Sequence, residues 1–211
     1  MTSAPRKTAF FDVDETLIDA KSMGEFLNFY HSHQGGVPTW EGFIAALPPG
    51  TSREATNRAY YGIWRGMPRS EIRAWGALWF RGASRQDGFY IKSTISRLSV
   101  LQASGYDVVL VSGSFDALLD PIAVELNASA ILCSAPDQAG DRYLGTLQTP
   151  MIGENKAYAI LEYCVRNGVD PADCIAFGDH ESDLPMLEAV GGGFWVRTSG
   201  EIEQHRPSVR T

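Results

Sequence analysis

Cysteine is scarce. The 211-residue chain holds three, Cys133, Cys164 and Cys174, odd in number, far apart and without a CxxC pair. A disulfide framework or a thiolate zinc site is therefore not expected. No apolar run approaches the roughly 18–20 residues that a bilayer span requires. Basic residues are outnumbered, 18 against 25 acidic, for a formal net charge of −7. A nucleic-acid surface needs clustered Lys and Arg, so that class is set aside, although a local basic pocket for a small anion is not. The opening MTSAPRKTAFFDVDETL brings charge after too few apolar residues for a secretory segment. These absences lead us to expect a soluble protein of a reducing cytoplasm; they do not choose between a monomer and a homodimer. What is present is globular in character, with 44% hydrophobic and 20% charged residues. The length allows one domain, or one domain carrying a smaller insert.

Short apolar runs rich in strand formers recur along the chain: Thr8–Val13, Asp107–Val111, Ser129–Cys133, Cys174–Phe177 and Phe194–Val196. Runs of this kind suit strands buried on both faces. Helical patterns lie between them, over Ser93–Ser104, Ala117–Leu126, Lys156–Asn167 with Gly168 as its stop, and Ser182–Val190. This alternation predicts an α/β fold with a doubly wound, mostly parallel sheet. A small hairpin is expected over Arg142–Gln148. Residues 21–90 break the alternation. They hold four of the five tryptophans and read as helices over Met23–His31, Arg53–Trp64 and Arg69–Arg81. We expect a helical insert over 21–90 and a Rossmann-like core from 1–20 and 91–211.

Three of the runs end in polar groups: Asp12 and Asp14, then Ser112, then Asp179 and Asp183. In open parallel sheets, ligands bind outside the carboxyl ends of the strands, so these clusters are expected to converge. Four carboxylates in one cleft repel each other unless a cation neutralises them. A hard divalent ion with oxygen ligands meets that need, and Mg²⁺ suits a few carboxylates plus a substrate phosphate. Asp12 and Asp14, two apart on an extended chain, face the same way. One can attack phosphorus while the other moves a proton.

DVDETL, then VSGS, a later lysine and GDHESD, in that order, resemble the haloacid dehalogenase superfamily of aspartyl-phosphate hydrolases. The helical insert after the first motif is similar to the cap of the phosphoserine phosphatase-like subgroup. The resemblance spans about residues 8–196. It implies Asp12 as nucleophile and Asp14 as general acid/base. It places Mg²⁺ on the Asp12 carboxylate, the Asp14 carbonyl and Asp179, with Asp183 completing the metal set or orienting Lys156. Ser112 and the Gly113 N–H would bind a phosphoryl oxygen, and Lys156 would pair with the nucleophile and the transferring group.

Lys21 departs from the pattern. Phosphoserine phosphatases carry a glutamate nine residues after the nucleophile, for the substrate ammonium. A lysine there cannot receive an ammonium, which argues against L-phosphoserine. Lys21 is a candidate substrate-binding residue that would prefer a carboxylate, a second phosphate or hydroxyl oxygens. The resemblance to capped relatives implies a sugar, cyclitol or amino-alcohol phosphate. Position 182 is Ser where the subgroup commonly has Asn. Arg53, Arg58, Arg65 and Arg69 are further candidates for choosing the substrate. Bland alternatives stand beside these readings: Ser112 as a helix cap, Lys21 as an exposed hinge lysine, the tryptophans as core. A phosphotransferase sharing Asp12, or a non-catalytic module binding a phosphorylated ligand, remains an alternative at the level of sequence.

Overall fold

The computed structural model describes residues 7–206. Six strands form the main sheet: β1 (Lys7–Phe11), β2 (Tyr106–Ser112), β3 (Ala130–Cys133), β6 (Ile175–Gly178), β7 (Gly192–Val196) and β8 (Ile202–Gln204). Their order is β3-β2-β1-β6-β7-β8. The first five are parallel and β8 closes the edge antiparallel to β7. Phe10 of β1 packs on one face with Val109, Ile160 and Ala176. Ala9 and Phe11 pack on the other with Val108, Leu110 and Phe177. That alternation, apolar on both faces, makes β1 a central strand rather than an edge.

The helices of the core are α5 (Lys92–Ala103), α6 (Asp116–Glu125), α7 (Glu154–Asn167) and the short α8 (Leu184–Glu188). Gly168 takes the left-handed conformation that stops α7, as expected of it. The segment read as one helix over Ser182–Val190 is a 3₁₀ turn, Glu181–Asp183, followed by α8. The expected hairpin is displaced towards the N-terminus. It pairs β4 (Gln138–Ala139) with β5 (Arg142–Tyr143) around a Gly140 turn of positive φ.

Between β1 and α5 lie α1 (Ser22–Gln34), α2 (Trp40–Ala46), α3 (Arg53–Ile63) and α4 (Arg69–Ala83). Helix α2 was not expected. It has only seven residues, contains Gly42 and lies between Pro38 and Pro48, so its period is too short to read. Its start was signalled by Thr39, whose hydroxyl accepts from the Gly42 N–H at 3.1 Å. Helix α4 lies against α6 at a glycine. A Cβ on Gly76 would stand 2.1 Å from the Ala117 carbonyl oxygen. Arg69 and Arg73 of α4 pair with Asp116 of α6, and Arg73 also with Asp120. The apolar interior is continuous across this junction. Phe115 contacts Phe26, Tyr60 and Tyr61 ring to ring, and Phe26 contacts Trp64 and Trp79. Among the described residues no helix is long and apolar enough to cross a membrane.

Candidate active site

Asp12 directly follows β1. Its N–H donates to the Phe177 carbonyl of β6 at 2.9 Å, which continues the sheet pairing to the end of the strand. The chain then folds back on itself, the Val13 carbonyl accepting from the N–H groups of Thr16, Leu17 and Ile18, with Glu15 at φ +59°. This tight turn sets Asp14 beside Asp12 and brings the Thr16 hydroxyl to Asp179 Oδ1 at 3.0 Å. Asp179 and Asp183 follow β6. Asp183 is pinned because its Oδ2 accepts from the N–H groups of Asp179 and His180 at 3.3 and 3.2 Å. Gly178 makes this possible: a Cβ there would fall 2.6 Å from the Asp183 Cβ.

Lys156, in the first turn of α7, is buried. Its ammonium donates to Asp12 Oδ1 at 2.5 Å and to Asp183 Oδ1 at 2.7 Å. Burial alone would lower its pKa, but Asp12 and Asp183 outweigh burial and hold it above the ordinary lysine value. The carboxylates are crowded the other way. Burial is the largest cause raising Asp12, opposed by Lys156 and reinforced by Asp183 and Asp179. Burial followed by Asp183 raises Asp179. Asp14 is pushed up to about 7, by burial first and then by Asp12, against hydrogen bonds from Ser22.

One oxygen each of Asp12, Asp179 and Asp183 lie within 4.8 Å of one another. The buried Asp14 Oδ1 has no hydrogen-bond partner among the described residues. An all-oxygen, carboxylate-rich donor set fits a hard divalent cation. The acidic strand ends expected to converge therefore do share one place.

Asp12, Asp14 and Lys156 line a cavity of about 350 Å³ together with Ser112, Gly113 and Lys21. Ser112 ends β2, and its Oγ accepts from the Ser114 N–H at 3.1 Å. Asp179 faces a second hollow beyond Glu15. Lys21, exposed at the start of α1, pairs loosely with Glu15 at 3.5 Å. Of the four arginines singled out in the sequence, Arg53 lines the cavity. Arg58 donates to the carbonyls of Leu147 and Gln148, Arg69 to Asp116, and Arg65 packs over Gly145. His180 also lines the cavity, its pKa lowered by burial and then by Arg53. Sequence reasoning missed Thr16, His180 and the buried Asn57. The threonine of DVDETL was a visible signal; an asparagine inside a helix carried none.

A sequence model of haloacid dehalogenase-like hydrolases matches residues 9–188. The chain belongs to that family. It is a phosphatase-type hydrolase within the family, with the fold of phosphoserine phosphatases. It is 28% identical over 200 residues to the "inhibition of morphological differentiation protein" of Streptomyces azureus, a match spanning 90% of this chain and 71% of that one. It is 39% identical over 87 residues to a probable phosphatase of Mycobacterium tuberculosis, spanning 41% of this chain and 30% of that one. A structure described as a phospho-aspartyl intermediate analogue of phosphoserine phosphatase superposes with TM-score 0.61. That comparison has 18% identity and covers 90% of this chain and 86% of the other.

Proposed function

We propose that the chain is a Mg²⁺-dependent phosphatase that hydrolyses a small phosphate monoester through an aspartyl-phosphate on Asp12. The observation that carries this reading is the Asp12–Lys156–Asp183 arrangement, with Asp179 beside it and Asp14 facing the same cavity. Asp12, Asp179 and the Asp14 carbonyl would hold the ion, with Asp183 close by. When bound, the ion supplies charge neutralisation around the phosphoryl oxygens.

An Asp12 carboxylate oxygen attacks phosphorus, and the bond from phosphorus to the ester oxygen breaks. Asp14, whose carboxyl is raised above the ordinary carboxylate range by burial and then by Asp12, delivers a proton to the departing oxygen. In the second half, Asp14 as carboxylate takes a proton from a water molecule. That water attacks phosphorus, and the bond to Asp12 breaks with release of phosphate. Lys156, held as an ammonium, neutralises Asp12 before attack and the phosphoryl group after it. Ser112 and the Gly113 N–H bind the phosphoryl oxygens. Residues 21–90 act as a cap over the core formed by 7–20 and 91–206. Substrate enters while they are apart, and closure excludes bulk water during the first half-reaction.

The cavity mouth supports a choice among substrates. Lys21 and Arg53 both line the cavity, with Lys21 at 3.5 Å from the Glu15 carboxylate. A substrate ammonium placed against Lys21 would be repelled, which disfavours L-phosphoserine; the substrate is sought among sugar, cyclitol and amino-alcohol phosphates. Hydroxyl-rich leaving groups, as in sugar and cyclitol phosphates, fit better. The test is a Mg²⁺-dependent phosphate-release screen over small phosphomonoesters, phosphoserine included. Sugar or cyclitol phosphates should lead. Phosphoserine turnover matching the best substrate would refute the reading of Lys21. Asp12→Asn should keep the fold and lose both turnover and phosphoenzyme. Running the best substrate with and without an acceptor alcohol separates hydrolysis from phosphoryl transfer.

A further inference from the structure

Helix α3 of the insert reaches into the turn after β2. Asn57 is 6% exposed. Its Nδ2 donates to the Gly113 carbonyl at 2.8 Å, and its Oδ1 accepts from the Ser134 hydroxyl at 3.3 Å. Opposite demands on the two ends fix the orientation of the amide. Tyr61, one turn further along α3, donates its hydroxyl to the same Gly113 oxygen at 3.0 Å. Both lone pairs of that carbonyl are thus engaged, each by a buried side chain of the insert. The peptide that carries this oxygen presents the Ser114 N–H on its far side, and that N–H holds Ser112 Oγ at 3.1 Å. With its oxygen committed as an acceptor, the Ser112 hydroxyl directs its own hydrogen elsewhere, and Ser112 lines the cavity beside Asp12. The turn is braced from the other side as well, the Ser134 N–H donating to the Ser114 carbonyl at 3.0 Å.

We propose that Asn57 and Tyr61 are positioning residues that act through the Gly113–Ser114 peptide to aim the Ser112 hydroxyl at the phosphoryl group. The inference rests on the proposed reading of this cavity as a phosphoryl site, and it adds that the phosphate-binding turn is completed by the insert. Hydrogen bonds in series polarise one another, so donation into the Gly113 oxygen strengthens the Ser114 N–H as a donor to Ser112. Two neutral donors on one carbonyl, buried and rigid, also fix the plane of the peptide. Because the effect falls on the phosphoryl oxygens and not on the leaving group, it is the same for every substrate.

The test is a double-mutant cycle of Asn57→Ala with Ser112→Ala, repeated with Tyr61→Phe, which keeps the ring and its packing. The readouts are kcat and KM for p-nitrophenyl phosphate with Mg²⁺, and the dissociation constant of orthovanadate measured by calorimetry. Loss of one hydrogen-bond donor to a developing oxyanion costs on the order of 100-fold in rate. A residue acting through that donor should cost about tenfold, carried mainly by kcat. Either insert substitution should reduce kcat about tenfold in the native background and change little once Ser112 is alanine. A purely structural role predicts equal losses in both backgrounds, and that result, or no loss at all, overturns the proposal. If the native protein hydrolyses no phosphomonoester yet binds orthovanadate, the proposed activity fails. The cycle on vanadate affinity then decides the inference by the same criterion. If the native protein does not bind orthovanadate, both fall.

Discussion

Lys156 is the residue on which the charge balance of the site turns. It neutralises two buried carboxylates at once, Asp12 at 2.5 Å and Asp183 at 2.7 Å. Removing one partner of a buried ion pair leaves the other charge unpaired, at a cost of about 3–5 kcal/mol. Lys156→Met keeps the bulk of the side chain and should lower stability in urea unfolding by that amount in EDTA, with part of the loss recovered by Mg²⁺. Asp14 titrates in the opposite sense to a paired carboxylate. Its pKa rises from 3.8 to about 7, so between those values the folded chain binds more protons than the unfolded one. Stability without a divalent ion therefore falls as pH rises from about 4 to 7. Asp14→Asn removes that dependence. In EDTA it should match the native protein near pH 4 and exceed it at pH 8, by up to about 4 kcal/mol for three pKa units. No gain at pH 8, measured by urea unfolding, would show that the Asp14 carboxyl is better solvated than its surroundings imply. The residues behind these predictions were legible because each stands at the end of an apolar run or the start of a helical one, where a parallel sheet places its chemistry. Asn57 was not, because its importance comes from Gly113, 56 positions away in sequence, and no local pattern announces such a contact.

Among the elements, the seam between α4 and α6 joins insert to core. The two helices meet backbone to backbone at Gly76, where a Cβ would overlap the Ala117 carbonyl. Gly76→Ala should force the helices apart and cost about 1–3 kcal/mol, despite the better helix propensity of alanine. Gly82 lies in the same helix with open space around it. Gly82→Ala should be neutral or stabilising by about 0.5–1 kcal/mol. Paired thermal melts compare the two directly, and equal effects would deny the close approach. The long elements around this seam could be read in the sequence, because α4 repeats its apolar face over fifteen residues and β2 runs apolar over most of its length. The short ones could not. Helix α2 is only two turns long, and β8 has three residues whose strand character comes from pairing with β7 rather than from composition. The hairpin was displaced because its turn is set by Gly140 and Asp141, outside the apolar stretch that suggested it.

At the scale of the molecule, the doubly wound sheet was foreshadowed by the order of apolar runs and helical patterns, whereas the unity of the interior was not. Aromatic residues in an insert look alike whether they form a core of their own or share one. Here Phe26, Tyr60 and Trp64 join Phe115, Leu118 and the sheet residues Phe11 and Phe177 in one cluster. The ion pairs across the α4–α6 seam are part-exposed and contribute little in such a setting, so the apolar contacts hold the two parts together. Shared burial of this kind couples stability: the insert cannot melt without exposing part of the surface that stabilises the core. Tryptophan fluorescence reports chiefly on the insert, which holds Trp40, Trp64, Trp75 and Trp79, while far-UV circular dichroism reports on every helix and strand. Urea transitions followed by the two signals should coincide, and should still coincide in 1 M salt, where exposed ion pairs are screened. A fluorescence transition at lower urea would mean that residues 21–90 fold as a unit of their own. Coincidence would mean that residues 21–90 and the sheet unfold together as one cooperative unit.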